Sequence, residues 1–219
     1  MTTKPIVTLY FDPVSPYAWL AAGAIARIEA AGAVLQLQPV LFAAMLNAHG
    51  QKGPAEIDAK RLYTFRDVMR QAATQGLVFQ GPPGHPFNPL LALRMCAALT
   101  HKDQRRRFAL TVLAACWERG EDVSARATLV RLADACDLDG AALADAALQP
   151  DVKARLAADT ERAIADGVFG VPTFRIGNEL FWGGDRVEAL ERHLKGHRID
   201  EDKLAEFLAR APLAQRKPG

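Results

Sequence analysis

The stretch Ile6-Val7-Thr8-Leu9-Tyr10-Phe11-Asp12-Pro13-Val14-Ser15-Pro16 marks the first turn of the chain. Its β-favouring residues end at the turn signal Asp12-Pro13, and Ser15-Pro16 has the form of a helix N-cap followed by proline at the first helical position. A helix is predicted over residues 17–31, and a strand over 34–41. Strand, helix and strand predict a parallel βαβ unit with a right-handed crossover.

The middle of the chain carries almost no strand signal. Apart from the apolar patch Leu77-Val78-Phe79, its periodicity is helical, and six helices are predicted at 58–75, 89–100, 102–119, 124–137, 140–148 and 152–166. Strand patterns return at 171–176 and 179–182, on either side of the turn Gly177-Asn178, and an amphipathic helix follows at 186–194. This order predicts an α/β fold, a thioredoxin-like domain with a large all-helical insertion.

The domain boundaries follow from this order of elements. We predict a discontinuous thioredoxin-like domain at residues 1–42 and 167–213, a helical insertion domain at 43–166 and a C-terminal tail at 214–219. Apolar periodicity over 201–213 predicts one appended helix, and the end of the tail is expected to fray.

Composition narrows the classes of function. The 219 residues are 50% hydrophobic, which is enough for a sizeable core, and a formal charge of +2 gives no field that favours nucleic acid or an anionic membrane. No window has the length of a membrane span, and the N-terminal residues lead into a strand without the apolar stretch of a secretory signal. We therefore expect a cytoplasmic protein that binds neither nucleic acid nor membranes.

The cysteines argue against redox and metal chemistry. Cys96, Cys116 and Cys136 are spaced 20 residues apart in predicted helices, without a CxxC pair or a histidine spacing suited to zinc. At the start of the first helix, where a thioredoxin-like oxidoreductase has its Cys-x-x-Cys, the two cysteine positions hold Ser15 and Ala18. Dithiol–disulfide exchange is therefore not expected there, and neither is a bound metal.

Ser15 places a hydroxyl at the N-terminus of the first predicted helix. Free amides and the positive end of the helix dipole favour an anion at such a place, and a hydroxyl can donate a hydrogen bond to sulfur. A thiol bound there would have its pKa lowered, and glutathione is the natural candidate. The alternative is that Ser15 only caps the helix.

Two later segments carry a resemblance to a known family: Gly167-Val168-Phe169-Gly170-Val171-Pro172-Thr173-Phe174 and Phe181-Trp182-Gly183-Gly184-Asp185-Arg186. Together with Ser15 they resemble the 2-hydroxychromene-2-carboxylate isomerases and kappa-class glutathione transferases of the DsbA-like thioredoxin superfamily, from residue 9 to about 194. The resemblance implies glutathione as the cofactor and Ser15 as the catalytic residue that stabilises its thiolate. It also implies a cis bond between Val171 and Pro172, with the Val171 backbone paired to the cysteinyl part of glutathione.

The rest of the glutathione site is also assigned by resemblance. Gly184 and Asp185 would hold the γ-glutamyl end, through helix amides and the acidic side chain, and Lys60 would reach the glycine carboxylate. Gln51 stands where kappa transferases have an asparagine at the ligand. Without the resemblance, Asp185 is equally well explained as an N-cap residue. Lys60 is then explained as a solvated residue on an amphipathic helix.

A pocket for the second substrate, a small aromatic electrophile, is expected near the loop 81–88. His85 is the obvious titrating group of this loop, and a histidine can transfer protons near neutral pH, although an exposed loop histidine without a role is the alternative. Asn88 would also fit a cap of the next helix. The candidate pocket residues are Tyr17, His85, Asn88 and Trp182.

The reaction that the resemblance implies is the glutathione-dependent isomerisation of 2-hydroxychromene-2-carboxylate, or a related intermediate of aromatic catabolism, to trans-o-hydroxybenzylidenepyruvate. One alternative is a kappa-like transferase that conjugates glutathione to small electrophiles, and another is a non-catalytic glutathione-binding module. A DsbA-like redox enzyme is disfavoured by Ser15 and Ala18. Because family members are commonly dimers, a homodimer is expected.

Overall fold

A four-stranded mixed sheet in the order β2-β1-β3-β4 organises the computed structural model, which describes residues 4–214. Strand β1 (Ile6–Phe11) is parallel to β2 (Val34–Pro39) and antiparallel to β3 (Thr173–Ile176), and β3 is antiparallel to β4 (Glu179–Trp182). The predicted βαβ unit and the C-terminal hairpin are both confirmed, and they bring the first and last thirds of the chain into one sheet.

Helices make up the regular structure between β2 and β3, which confirms the predicted all-helical insertion. The α-helices within residues 4–214 are α1 Pro16–Ala22, α2 Ile25–Ala30, α3 Phe42–Ala48, α4 Asp58–Thr74, α5 Leu90–Ala98, α6 Lys102–Trp117, α7 Arg126–Asp134, α8 Gly140–Ala146, α9 Pro150–Ala165, α10 Val187–Leu194 and α11 Glu201–Leu208. Short 3₁₀ helices cover Pro54–Glu56 and Gly184–Arg186.

The prediction of one continuous helix over residues 17–31 is wrong, because two helices, α1 and α2, cover this segment. At Gly23 and Ala24 the backbone N–H groups donate to carbonyls three residues earlier, at 3.2 and 3.0 Å, so the α-helical spacing is interrupted. The Ala-rich sequence favours helix on both sides of this point, and the local signal for the change is Gly23, the C-cap of α1.

Helix α3 is not predicted by the sequence, because its first turn is fixed by distant residues. Leu41 N–H donates to Thr160 Oγ1 at 3.1 Å, across 119 residues of sequence. Phe42 N–H donates to Asp12 Oδ2 at 3.0 Å, across 30 residues. The free amides at this helix start are therefore satisfied by tertiary contacts and not by a local capping residue.

One buried cluster joins the sheet to the helical insertion. It contains Leu9 and Phe174 from the sheet together with Phe108, Trp117 and Leu129 from α6 and α7. Trp117, at the end of α6, has the largest fully buried side chain of the described residues. The insertion thus packs directly against the domain that carries the β1–α1 turn, while the domain boundaries stay a prediction.

Of the two C-terminal helices, the first matches its predicted range and the second is shorter than predicted. The helix expected at 186–194 begins with the 3₁₀ turn Gly184–Arg186 and continues as α10. Helix α11 ends at Leu208, a few residues before Pro212, which cannot continue a helix. Of the predicted tail, residues 215–219 lie outside the described part of the chain.

Candidate functional site

Ser15 is buried between the β1–α1 turn and the loop before β3. It is 6% exposed, and its side chain makes no capping bond to the amides of α1. Instead Ser15 Oγ donates to the carbonyl oxygen of Val171 at 3.3 Å. Ser15 therefore occupies the N-cap position of α1 without capping the helix through its side chain, and the structure brings together two site residues that are 156 positions apart.

The Val171–Pro172 peptide bond is cis, as the resemblance implies. Val171 is buried, and its amide N–H donates no hydrogen bond to any of residues 4–214. The next carbonyl, of Pro172, accepts the Gly183 N–H at 2.9 Å and so ties this loop to the turn after β4. The loop therefore presents an unpartnered backbone donor beside the Ser15 hydroxyl.

The turn of Gly184 and Asp185 lies against helix α1. A Cβ added to Gly184 would be 3.5 Å from both Cα and Cβ of Ala21, an ordinary contact distance. The Asp185 side chain makes no capping bond and pairs with Arg186 at 2.7 Å, with 60% of its surface exposed. The alternative that Asp185 is an N-cap is therefore wrong, and its carboxylate is accessible to a ligand.

Asp12 is a buried carboxyl group of the β1–α1 turn. Its Oδ1 accepts the Val14 N–H at 2.9 Å, and its Oδ2 accepts the Phe42 N–H at 3.0 Å. Burial raises the pKa of Asp12 from 3.8 to about 7, although these two hydrogen bonds oppose the shift. The sequence does not predict a role for Asp12, because Asp12-Pro13 is typical of an exposed turn and carries no mark of burial.

His85 is not the exposed loop residue that the alternative interpretation describes. The side chain is half-buried, and Nε2 donates to the Val14 carbonyl at 2.9 Å. The ring lies edge-on to Phe65, with centroids 5.1 Å apart, and 5.7 Å from the Trp117 ring. Burial lowers the pKa of His85, and the bond between His85 and Pro86 is cis, a feature that the sequence does not predict.

Tyr17 and Trp182, the two aromatic candidates for the pocket, contact different elements of the structure. Tyr17 is half-buried on α1 and donates its hydroxyl to Asp67 Oδ2 on α4 at 2.9 Å. Burial is the main reason that the pKa of Tyr17 is raised. Trp182 is 54% exposed at the end of β4, and a Cβ on Gly170 would lie 2.8 Å from its Nε1. Trp182 therefore covers the loop that precedes the cis proline.

The remaining predicted residues lie at the surface. Asn88 is exposed and its Oδ1 accepts the Leu90 N–H at 3.0 Å, which supports the interpretation that it caps α5. Lys60, in the first turn of α4, and Gln51, before it, are also exposed. Their side chains make no hydrogen bond or ion pair with any other described residue, so they are open to a ligand.

The cysteine thiols have no reactive environment. Cys96, Cys116 and Cys136 are all free and buried, and burial raises the pKa of Cys96 to about 12 and that of Cys116 as well. Between residues 4 and 214 there is no cluster of three His, Cys, Asp or Glu side chains that could hold a metal ion. In the same part of the chain no helix is long and apolar enough to cross a membrane.

Known proteins resemble this chain over most of its length. A family model described as a DSBA-like thioredoxin domain matches residues 6–195. The 2-hydroxychromene-2-carboxylate isomerase of Sphingobium xenophagum is 28% identical over 193 residues, covering 86% of this chain and 97% of that protein. Glutathione S-transferase kappa 1 of Homo sapiens is 26% identical over 207 residues, covering 88% of this chain and 91% of that protein.

A solved structure of a selenomethionine-labelled 2-hydroxychromene-2-carboxylate isomerase has the same fold. Its TM-score is 0.81 at 22% identity, and the match covers 94% of this chain and 100% of that one. The resemblance drawn from the sequence is confirmed by these relatives. Since the family model spans most of the sequence, the chain belongs to the DsbA-like thioredoxin domain family, where it is similar to 2-hydroxychromene-2-carboxylate isomerases and kappa-class glutathione transferases.

Proposed function

We propose that this protein is a glutathione-dependent isomerase that converts 2-hydroxychromene-2-carboxylate, or a related aromatic intermediate, to trans-o-hydroxybenzylidenepyruvate. The observation that carries the proposal is the pairing of the Ser15 hydroxyl with the Val171 carbonyl at 3.3 Å, beside a Val171 N–H that has no partner among residues 4–214. The similarity to an isomerase of that name over 97% of its length supports the choice of reaction.

The residues present fit glutathione. The peptide backbone of its cysteinyl part can pair with the free N–H of Val171, as an added strand would. Its ammonium group matches the exposed carboxylate of Asp185, and its glycine carboxylate matches the exposed ammonium of Lys60. Within residues 4–214 each of these groups lacks a partner or is solvent-exposed, so none must break a strong internal bond to receive the ligand.

Ser15 would act by donating its hydroxyl proton to a sulfur anion. The 3.3 Å bond to Val171 is longer than the usual range for a hydroxyl donor, so the hydroxyl can rotate at little cost. Donation to the thiolate favours the ionised form and lowers the thiol pKa. Glutathione supplies a thiol that adds reversibly to a conjugated double bond and so permits rotation about it.

A second candidate is a transferase that joins glutathione to small electrophiles. It is favoured by the 26% identity to a kappa-class glutathione transferase and would use the same thiol site. Disulfide exchange is not a candidate at this site, because residues 15 and 18 are Ser15 and Ala18 and the three cysteines are buried.

Titration calorimetry with reduced glutathione tests the thiol site. We expect saturable binding by the wild type, weaker binding by Asp185→Asn, and unchanged binding by Asp151→Asn, a matched change of an exposed carboxylate on α9. Ser15→Ala is expected to bind glutathione but to raise the pKa of the bound thiol. Absence of binding by the wild type at millimolar glutathione would contradict the proposal.

Turnover then separates the two reactions. With 2-hydroxychromene-2-carboxylate and catalytic amounts of glutathione, an isomerase consumes the substrate while total free glutathione stays constant. A transferase depletes glutathione in proportion to the product formed. Ser15→Ala is expected to lower the rate of either reaction by about 10²-fold or more, as loss of a transition-state hydrogen-bond donor does in other enzymes.

A further inference from the structure

In the turn that carries Ser15, residues 12–15, nearly all backbone N–H and C=O groups make hydrogen bonds. Within the turn, Asp12 Oδ1 accepts the Val14 N–H at 2.9 Å and the Asp12 carbonyl accepts the Ser15 N–H at 3.0 Å. These local bonds leave two carbonyl groups, those of Pro13 and Val14, immediately before Ser15. Both would be unsatisfied if the turn were considered alone.

Two ring N–H groups from the helical insertion bind these two carbonyls. Trp117 Nε1, at the end of α6, donates to the Pro13 carbonyl at 3.0 Å. His85 Nε2, in the loop 81–88, donates to the Val14 carbonyl at 2.9 Å. The donors lie 104 and 71 residues away in sequence from their acceptors, so the insertion and not the turn determines where these bonds form.

The two rings are held together by the insertion. The Trp117 carbonyl accepts the N–H groups of Gln80 and Gly81, at 2.9 and 3.1 Å, which fixes the start of the His85 loop against α6. Gly120 has φ +68°, and a Cβ there would lie 3.1 Å from the Gly81 carbonyl oxygen. The rings of His85 and Trp117 also pack against each other, with their centroids 5.7 Å apart.

The hydrogen bonds of His85 determine its tautomer. A carbonyl can only accept, so Nε2 carries the proton toward Val14. Nδ1 is buried and has no partner among residues 4–214, and protonating it would leave a buried donor unsatisfied. Burial lowers the pKa of His85, and Arg61, the charged neighbour on α4, acts in the same direction. The ring is arranged as a fixed donor and not as a proton carrier.

We propose that His85 and Trp117 are positioning residues, which fix the backbone before Ser15 and thereby hold Ser15 Oγ beside the Val171 backbone. The helical insertion would then orient the reactive group as well as line the site. The effect on catalysis rests on the proposed function, whereas the effect on the geometry of the turn does not. His85 thus takes a role that differs from the pocket residue expected from the sequence.

NMR spectroscopy without ligand tests the geometry. In the wild type near neutral pH, the ring nitrogen shifts of His85 are expected to show the neutral Nε2–H tautomer. His85→Leu is expected to move the amide signals of Ser15 and Val171, while His197→Leu, a change of an exposed histidine, leaves them in place. An Nδ1–H tautomer, or unmoved Ser15 signals in folded His85→Leu, would overturn the proposal.

Kinetics with glutathione and the electrophile test the consequence. His85→Leu is expected to lower kcat about tenfold with little change in the KM for either substrate. His85→Gln keeps an N–H donor at a similar distance from the backbone and should therefore recover most of kcat. If His85→Leu does not fold, the comparison of kcat is made between the wild type and His85→Gln. Equal loss in both variants, or a change in the electrophile KM alone, would make His85 a pocket wall instead. If the wild type does not use glutathione, the proposed function fails and the NMR result still decides the geometry.

Discussion

The turn at Ser15 and the charged residues assigned to the ends of glutathione are built in opposite ways. Ser15 is 6% exposed, and the residues before it are bound by side chains from two distant parts of the chain. Among residues 4–214, the Asp185 side chain is bonded to its neighbour Arg186 alone, and the Lys60 side chain makes no bond. One region is fixed before any ligand arrives, and the other is free to adapt.

This difference separates two kinds of contribution to function. A group that is already held in place loses little entropy when a ligand binds, so its hydrogen bonds act fully on the bound thiol. Exposed charged side chains are solvated and flexible, and ordering them offsets part of their attraction for the ligand. We therefore expect changes around Ser15 to affect stability and rate, and changes at the exposed charges to affect affinity alone.

The largest effect is expected for Trp117→Ala. This change removes the largest fully buried side chain and leaves the Pro13 carbonyl without its donor, and we expect a loss of about 3–5 kcal/mol in the free energy of unfolding. Trp117→Phe keeps one aromatic ring but loses the five-membered ring with its N–H donor, so a smaller loss of about 1–3 kcal/mol is expected. Urea unfolding measures both losses. Equal stability of the two variants would contradict the expectation that Trp117→Ala costs more than Trp117→Phe.

Asp12 is expected to make stability depend on pH. Its pKa is raised from 3.8 to about 7, so the folded protein keeps a proton that the unfolded chain loses near pH 4. The contribution of Asp12 is therefore fully present below about pH 4 and is lost as the pH rises to about 7, by at most about 1.4 kcal/mol per pH unit.

Comparison with Asp12→Asn isolates this contribution, because the asparagine does not titrate. The wild-type free energy of unfolding, measured in urea across this pH range, should fall with rising pH relative to that of the variant. The difference between the two proteins should level off above about pH 7. A difference that is flat across the range would mean that Asp12 has an ordinary pKa in the folded protein.

Gly170→Ala tests the boundary between the fixed and the exposed region. A Cβ at this position would lie 2.8 Å from Nε1 of Trp182, which is 54% exposed and can swing outward. We expect a change in stability of less than about 1 kcal/mol, but greater acrylamide quenching of tryptophan fluorescence as Trp182 leaves the cis-proline loop. Gly84→Ala, where no atom lies within 4 Å of the added Cβ, is the control and should leave quenching unchanged.

The sequence predicts those features that are encoded by nearby residues. The strand patterns, the turn Gly177-Asn178 and the position of Ser15 at the start of a helix are all local, and the structure contains each of them. The burial of Asp12 and of His85 depends on partners that are 30 and 71 residues away, and no local pattern reports such contacts. Nothing local predicts the cis bond between Val171 and Pro172, since most X-Pro bonds are trans, and only the family resemblance implies it.

The smallest effect on stability is expected for Lys60→Ala. The side chain is exposed and unpaired among residues 4–214, so the free energy of unfolding should change by less than about 0.5 kcal/mol. The proposed contact with the glycine carboxylate of glutathione would still be lost, which should weaken binding about tenfold. Lys153→Ala, at an exposed position on α9, is the matched control. If both variants bind glutathione like the wild type, Lys60 is a solvated surface residue, and the site recognises glutathione without it.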